Sequence, residues 1–169
     1  DNLVWNKFLE TLSKSSVLKE KIKNEVLGGK YETSSNRKKV NREINRLDIF
    51  GNDWPTKDGT PVRDYIHIMD LADSHLIAYE FLQKNGPQML KINIGTAIGT
   101  SVLELINVFT RVNNIEIPYQ YSRRRKGDIG YVVANNKLAK SIFDWEPKRN
   151  IFAMCQDGWN WKKKNLKGF

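Results

Sequence analysis

Residues 59–83 have the sequence GTPVRDYIHIMDLADSHLIAYEFLQ, which combines a turn, a short strand pattern and a helix pattern. Pro61 marks the turn, and DYIHI at 64–68 has the aromatic and β-branched composition of a strand. From Asp70 to Gln83 the apolar residues recur every three or four positions, which predicts a helix. A strand that leads directly into a helix is typical of the α/β and α+β classes.

The same alternation continues on both sides of this stretch. Further elements are predicted as strands over 46–51, 88–95 and 116–121, and as helices over 101–112, 136–143 and 151–164. Ser101 and Glu104 have the spacing of a capping box, which marks the start of one of these helices. The whole pattern therefore predicts an α/β or α+β fold.

The first 47 residues differ from the rest in charge and in pattern. They hold 11 cations and 6 anions, and they combine a predicted amphipathic helix over 3–27 with a polar, glycine-led loop over 28–42. We interpret 1–47 as a basic helical segment with a polar loop, an insertion or a divergent start, and 48–169 as the main domain. The chain begins without methionine, which suggests a fragment of a longer protein.

The composition excludes several classes of protein. A hydrophobic fraction of 40% and an aromatic fraction of 11% are enough for a packed core, so wholesale disorder is excluded. Cys155 is the single cysteine, which excludes an intrachain disulfide and favours an intracellular, cytoplasmic protein. No apolar run approaches the length of a membrane span, and no membrane partner is expected.

A basic loop, RRRKGD at 123–128, is the first candidate for binding chemistry. Arginine forks bind phosphate oxygens, whereas Asp128 repels phosphate but suits the hydroxyls of a ribose. With Arg63 on the other side of the diphosphate, these residues suggest a nucleotide-diphosphate pocket. The alternative is a solvated basic loop with Asp128 in local salt bridges, and the residues alone favour that alternative.

Other candidate sites are weaker. NIGTAIGTS at 93–101 follows a predicted strand, but its glycines do not make G-x-G-x-x-G, so a tight turn is the better interpretation. His67 and His75 have no Cys or His partners at ligand spacing, and no metal is expected. The net charge of +9 permits nucleic-acid binding, but the aromatic residues have core-like spacing, so this partner is disfavoured.

Four stretches in one order make the sequence similar to a known family: IFGNDWPTKDGTPVRDYIHIMDLADSHLIA, KINIGTAIGTSVLELI, RRRKGD and AMCQDGWNW. Together they resemble the carboxy-terminal part of UDP-glucose 4-epimerases, of the extended short-chain dehydrogenase/reductase class. The resemblance runs from about Leu47 to Phe169. It implies that 48–169 is a UDP-sugar-binding domain without the Rossmann dinucleotide-binding half.

The resemblance also implies site residues. Arg63 and Arg125 match the arginines that contact the UDP diphosphate, and Asp128 matches the residue that holds the ribose. Ile49 and Phe50 lie in the stretch that matches the uracil-binding segment.

Positions near the sugar are less well matched. The opening DNL resembles the family's NNL, which makes Asn2 and Leu3 further substrate contacts. Val132, with Tyr131 beside it, stands where the family often has an aromatic or small residue near the hexose. The nature of the bound sugar is therefore left open.

The family interconverts UDP-glucose and UDP-galactose by NAD-dependent oxidation and reduction at C4, with a Tyr-x-x-x-Lys pair. None of the six tyrosines of this chain has lysine four places on. The resemblance therefore implies a chain without catalytic residues and without bound NAD, inactive alone, which either forms homo-oligomers or lacks a Rossmann partner. The alternatives are a stand-alone UDP-sugar-binding or oligomerisation module, a nucleic-acid-binding protein, or a nucleotide-sugar dehydratase or decarboxylase.

Overall fold

The computed structural model describes residues 46–165, which form five strands and four helices. In chain order these are β1 Leu47–Phe50, β2 Val62–Asp64, α1 Ile68–Asn85, β3 Gly99–Ser101, α2 Val102–Asn113, β4 Tyr119–Ser122, β5 Tyr131–Val132, α3 Lys137–Phe143 and α4 Ile151–Lys164. The mixed α/β class predicted from the sequence is confirmed. The helix predicted over 3–27, and with it Asn2 and Leu3, lies outside the described residues.

The strands form two small sheets. In the first, β1 and β4 are parallel, with Leu47 opposite Tyr119 and Phe50 opposite Ser122. In the second, β2 lies between β3 and β5, antiparallel to β3 and parallel to β5. Because parallel strands end at the same edge of a sheet, the loops after β1 and β4 leave the first sheet side by side.

Helix α2 begins where the capping box predicts. The Ser101 side chain accepts a hydrogen bond of 3.0 Å from the backbone N–H of Glu104, which satisfies one of the free donors of the first turn. The helix ends at Asn113 and is capped by Asn114, whose backbone is left-handed with φ of 50°. The predicted helices over 101–112, 136–143 and 151–164 are thus confirmed within one or two residues.

The hydrophobic core lies between α2, α4 and the first sheet. Phe109 of α2 and Trp159 of α4 meet edge to face, with ring centroids 5.8 Å apart. Ile49 of β1 and Cys155 of α4 are fully buried in the same cluster. Complete burial of such large side chains contributes roughly 2–3 kcal/mol each, so this packing fixes the position of β1 relative to α4.

Helix α1 is packed much less completely. His67 caps it by accepting a hydrogen bond of 3.1 Å from the backbone N–H of Met69, and the helix starts at Ile68. The strand predicted over 64–68 is wrong beyond Asp64, because β2 spans Val62–Asp64. Only Asp70 and Ser74 of its residues are buried. Asp70 accepts hydrogen bonds from the backbone N–H groups of Lys148 and Arg149, and so anchors the first turn of α1 to the segment before α4.

The predicted strand over 88–95 is wrong for the described residues, because this segment has no regular secondary structure. A strand requires a neighbour that pairs with its N–H and C=O groups, and within 46–165 no strand pairs with this segment. The strand predicted over 116–121 is also displaced, since β4 begins at Tyr119, where β1 offers a partner. No helix in the described part of the chain is long and apolar enough to cross a membrane.

Candidate functional site

Phe50, Arg125 and Asp128 come together at the edge where β1 and β4 end. The Arg125 guanidinium lies over the Phe50 ring, 4.4 Å from its centroid. Its Nε donates to Asp128 Oδ2 over 2.9 Å and its Nη2 donates to Asp128 Oδ1 over 3.2 Å. The parallel pairing of two distant segments therefore builds a cation, a carboxylate and an aromatic ring into one cluster, which we call the Arg125 cluster.

A second arginine holds this loop in place. The Arg124 guanidinium stacks on the Trp54 ring at 3.8 Å, and its Nε donates to Asp53 Oδ1 over 2.7 Å. Trp54 Nε1 donates to the Phe50 carbonyl over 3.1 Å, and a Cβ at Gly130 would lie only 2.7 Å from the Trp54 ring. These contacts of Arg124 with Trp54 and Asp53, which we call the Arg124 clamp, were not predicted from the sequence. The sequence signal was the presence of GNDWP and RRR.

Arg63 lies in the second sheet, whereas the Arg125 cluster lies at the edge of the first. It lies in β2 opposite Val132 of β5, and both line a cleft of about 630 Å³ that also contains Asn93 and Asn135. Its Nη1 donates to the Val62 carbonyl over 2.8 Å. Among residues 46–165, no hydrogen bond, ion pair or ring contact joins Arg63 to the Arg125 cluster.

The remaining predicted site residues differ in accessibility. Ile49 is fully buried, main chain included, so a ligand at the surface does not reach it in this structure. Val132 lines the cleft with Arg63, whereas Tyr131 is 63% exposed and its hydroxyl lies near Gly99. Neighbouring residues of a strand point to opposite faces, and Tyr131, unlike Val132, does not line this cleft.

Comparison with known proteins gives a consistent result. No protein-family model matches the sequence. The chain is 44% identical over 128 residues to the UDP-glucose 4-epimerase of Bacillus subtilis (strain 168), a match that covers 75% of this chain and 37% of that protein. The chain is a relative of the UDP-glucose 4-epimerases and matches their carboxy-terminal part. It spans little more than a third of the length of that relative.

Solved epimerases have the same fold in this region. The enzyme from Bifidobacterium longum, solved with NAD⁺ and UDP, superposes with a TM-score of 0.70 at 35% identity, over 76% of this chain and 38% of its own. The enzyme from Stenotrophomonas maltophila, solved with NAD and formylated UDP-arabinopyranose, superposes with a TM-score of 0.68 at 35% identity. The match covers 80% of this chain and 42% of that enzyme. The family named from the sequence is therefore confirmed, together with NAD as a cofactor of those epimerases.

The turn over 93–101 resembles a dinucleotide-binding loop, but its residues do not fit NAD. Asp64 accepts hydrogen bonds from the backbone N–H groups of Thr96 at 2.9 Å, Ala97 at 3.0 Å and Ala134 at 3.2 Å. A phosphate would need such N–H groups free, and a carboxylate in their midst would repel it. The turn over 93–101 is thus a tight structural turn, and Asp64 is its organising residue, which the sequence did not indicate.

Several other reactive groups have structural roles. Burial raises the pKa of Tyr65 to about 12 and that of the Cys155 thiol to about 12, so both are protonated at neutral pH. His67 uses Nδ1 as the acceptor for the helix cap and Nε2 as the donor to Asp157, 3.2 Å away. The part of the chain that the structure describes contains no cluster of three or more metal-binding side chains.

Proposed function

We propose that this chain is the UDP-hexose-binding part of a UDP-glucose 4-epimerase and holds the nucleotide at the Arg125 cluster. The observation that carries the proposal is the convergence of Phe50, Arg125 and Asp128 at one edge of the first sheet. Similarity to epimerases solved with UDP or a UDP-sugar supports the class of ligand. UDP-glucose and UDP-galactose are the proposed ligands.

Each group of the cluster has a chemical task in this proposal. The Arg125 guanidinium donates to diphosphate oxygens with the N–H groups that lie outside its fork with Asp128. The Asp128 carboxylate accepts hydrogen bonds from the ribose hydroxyls, and the exposed part of the Phe50 ring contacts the base. Arg63 reaches the diphosphate from the cleft on the other side, and Val132 lies towards the hexose.

We further propose that the parent protein interconverts UDP-glucose and UDP-galactose with NAD, and that this chain alone does not. The reason is the lack of a Tyr-x-x-x-Lys pair in the sequence, together with the occupied N–H groups of the turn over 93–101. Strong contacts to UDP and weak contacts to the hexose would let the sugar rotate about the diphosphate between oxidation and reduction, so that it presents its other face. The expected result of an assay with added NAD is no turnover by the purified chain.

The partner in this proposal is a second copy of the chain or a Rossmann domain. Helix α1 exposes large apolar side chains, and its Phe81 and Leu82 line a largely apolar groove of about 230 Å³ together with Leu90, Ile92 and Phe143. Exposed apolar patches of this kind mark interfaces. A single, buried cysteine agrees with a cytoplasmic location for the complex.

Calorimetric titration of the chain with UDP-glucose tests the binding proposal. Micromolar affinity is expected, and Arg125→Ala should weaken it by about tenfold or more, because a charge-assisted hydrogen bond contributes roughly 1.5–3 kcal/mol. Lys126→Ala is the matched control, since Lys126 is an exposed cation in the same loop. No binding of UDP-glucose would sink the proposal, and salt-sensitive binding of a short single-stranded RNA instead would favour a nucleic-acid partner.

A further inference from the structure

The segment over 88–94, with the sequence QMLKINI, runs along the surface without a turn or a bend, and it belongs to neither sheet. Within residues 46–165, none of its backbone N–H or C=O groups makes a hydrogen bond to the protein. No residue of the segment is buried, and Met89 is 88% exposed. The segment therefore presents a free strand edge, which is the kind of surface that pairs with another chain.

The side chains of this segment divide into two rows, as they do in a strand. Leu90, Ile92 and Ile94 line the groove beside α1, whereas Met89 and Lys91 do not. Such alternation is the pattern of a strand with one apolar face. The segment thus has the side-chain arrangement of a strand, and what it lacks among the described residues is a partner.

The sequence of the segment is complementary to itself in one antiparallel register. With Ile92 opposite Ile92 of a second copy, Leu90 lies opposite Ile94, and the two apolar rows form one continuous face. The same register places Lys91 opposite Asn93. A register centred on Lys91 would instead oppose two lysines, which is destabilising. A two-fold axis through Ile92 also meets the requirement that a symmetric dimer uses the same patch on both copies.

We infer that the 88–94 segments of two copies of this chain pair as antiparallel strands, with the two-fold axis at Ile92. Main-chain hydrogen bonds between the copies satisfy the free N–H and C=O groups, and the joined apolar rows continue the groove beside α1 from one copy to the other. The inference deepens the proposed function and rests on it for one choice, namely a second copy as the partner of the α1 side.

Cysteine cross-linking of the full 169-residue chain tests this register, because the single native cysteine, Cys155, is fully buried. Ile92→Cys places two thiols at the axis, with Cβ atoms about 4.5–5.5 Å apart, which is close to the geometry of a disulfide. Oxidised glutathione converts such a pair into an intermolecular disulfide. Electrophoresis under denaturing, non-reducing conditions then measures the cross-linked dimer.

Met89→Cys is the matched control, because Met89 is more exposed than Ile92 but lies away from the axis. In the proposed register the two copies of Met89 are about 20 Å apart along the strands. We expect Ile92→Cys to give at least about tenfold more cross-linked dimer than Met89→Cys. Equal cross-linking of the two variants would reduce the effect to random collision and overturn the inference.

A mixture of two further variants tests the register without altering Ile92. Lys91→Cys and Asn93→Cys face each other across the dimer, so the mixture should form more cross-linked dimer than either variant alone. Thermal unfolding verifies that each variant is folded. A parent chain that stays monomeric in sedimentation velocity at every concentration would also overturn the inference. The proposed function fails by a separate result, namely a parent chain that does not bind UDP-glucose, which cross-linking does not measure.

Discussion

Helices α1 and α2 are both amphipathic in sequence, but they are packed very differently. Leu105, Ile106, Val108 and Phe109 of α2 are buried against α4 and the first sheet. On α1, by contrast, Leu76 and Tyr79 are 57% and 60% exposed. Helix α2 thus completes its hydrophobic contacts within residues 46–165, and α1 does not.

This difference teaches that an apolar pattern predicts that a helix has a partner but not where the partner is. The segment over 88–95 illustrates the same point for a strand. Leu90, Ile92 and Ile94 line the groove beside α1, yet no strand of the described residues pairs with this segment. The α2 side of the molecule is a closed core, whereas the α1 side exposes apolar side chains that the proposed interface would cover.

The strongest test of the comparison is truncation of one aromatic residue on each helix. Phe109→Ala should lower the free energy of unfolding by about 3–5 kcal/mol, because it removes a fully buried ring and leaves a cavity. Tyr79→Ala on α1 should cost less than about 1 kcal/mol. Urea unfolding followed by circular dichroism measures both, and equal losses would show that α1 is packed as tightly as α2.

The second test concerns the buried carboxylate that anchors α1. Asp70 is 1% exposed and its Oδ1 accepts from Arg149 Nη1 over 2.5 Å. Asp70→Asn should cost about 2–3 kcal/mol, because a buried carboxylate loses its charge-assisted hydrogen bonds.

Asp73→Asn is the matched control for this tether. Asp73 lies 3.5 Å from the same arginine but is 42% exposed, so its loss should be below about 1 kcal/mol. Thermal unfolding separates the two variants. A loss of similar size for both would mean that the position of Asp70 in the first turn of α1 gives it no special role.

The third test concerns the pH dependence of the α2 side. Although burial raises the pKa of Asp58, hydrogen bonds from Ser101 and Thr60 outweigh this effect and hold the pKa below its ordinary value of 3.8. A carboxyl whose pKa is lower in the folded state stabilises the protein above its ordinary pKa, and the stabilisation disappears as the pH falls through the folded value.

Asp58→Asn should therefore reduce stability at pH 7 by about 1 kcal/mol, and this loss should shrink below pH 3.8. Chemical unfolding at a series of pH values gives the measurement. A difference between parent and variant that stayed constant down to the acid transition would contradict the role of Asp58.

The smallest expected effect on stability is on the exposed face of α1. Leu76→Gln combined with Tyr79→Gln keeps good helix formers and should change the free energy of unfolding by no more than about 0.5 kcal/mol. If the face is an interface, the same variant should shift self-association towards monomer. Sedimentation velocity at several concentrations reports this, and unchanged association would place the interface elsewhere.

The elements that the sequence predicted well are those whose signals are local. Helix α2 is defined by the Ser101 cap and by apolar residues on one face, and α4 begins and ends within the predicted 151–164. The strand over 88–95 failed because pairing depends on a second strand, and no local pattern supplies one. The strand predicted over 64–68 was also wrong beyond Asp64, since β2 spans Val62–Asp64 and His67 caps α1.

The site residues also divide into those that the sequence indicated and those whose contacts depend on the fold. Arg125, Asp128 and Phe50 were predicted from family motifs, and the structure brings them together. The clamp of Arg124 on Trp54 was missed, because three consecutive arginines look alike in sequence and only the fold gives them different neighbours. The buried side chain of Ile49 also follows from packing rather than from its motif.

The parallel pairing of β1 with β4 has a consequence for the order in which the protein folds. The Ser122 hydroxyl donates to Asp48 across 74 residues of chain, and the Arg125 cluster exists only after this long loop has closed. Contacts so distant in sequence form late, since the entropy of loop closure is lost before they compensate for it. If the Arg125 cluster is the nucleotide site, as proposed, a chain with folded helices but separate β1 and β4 should not bind UDP, and nucleotide binding would report on the last stage of folding.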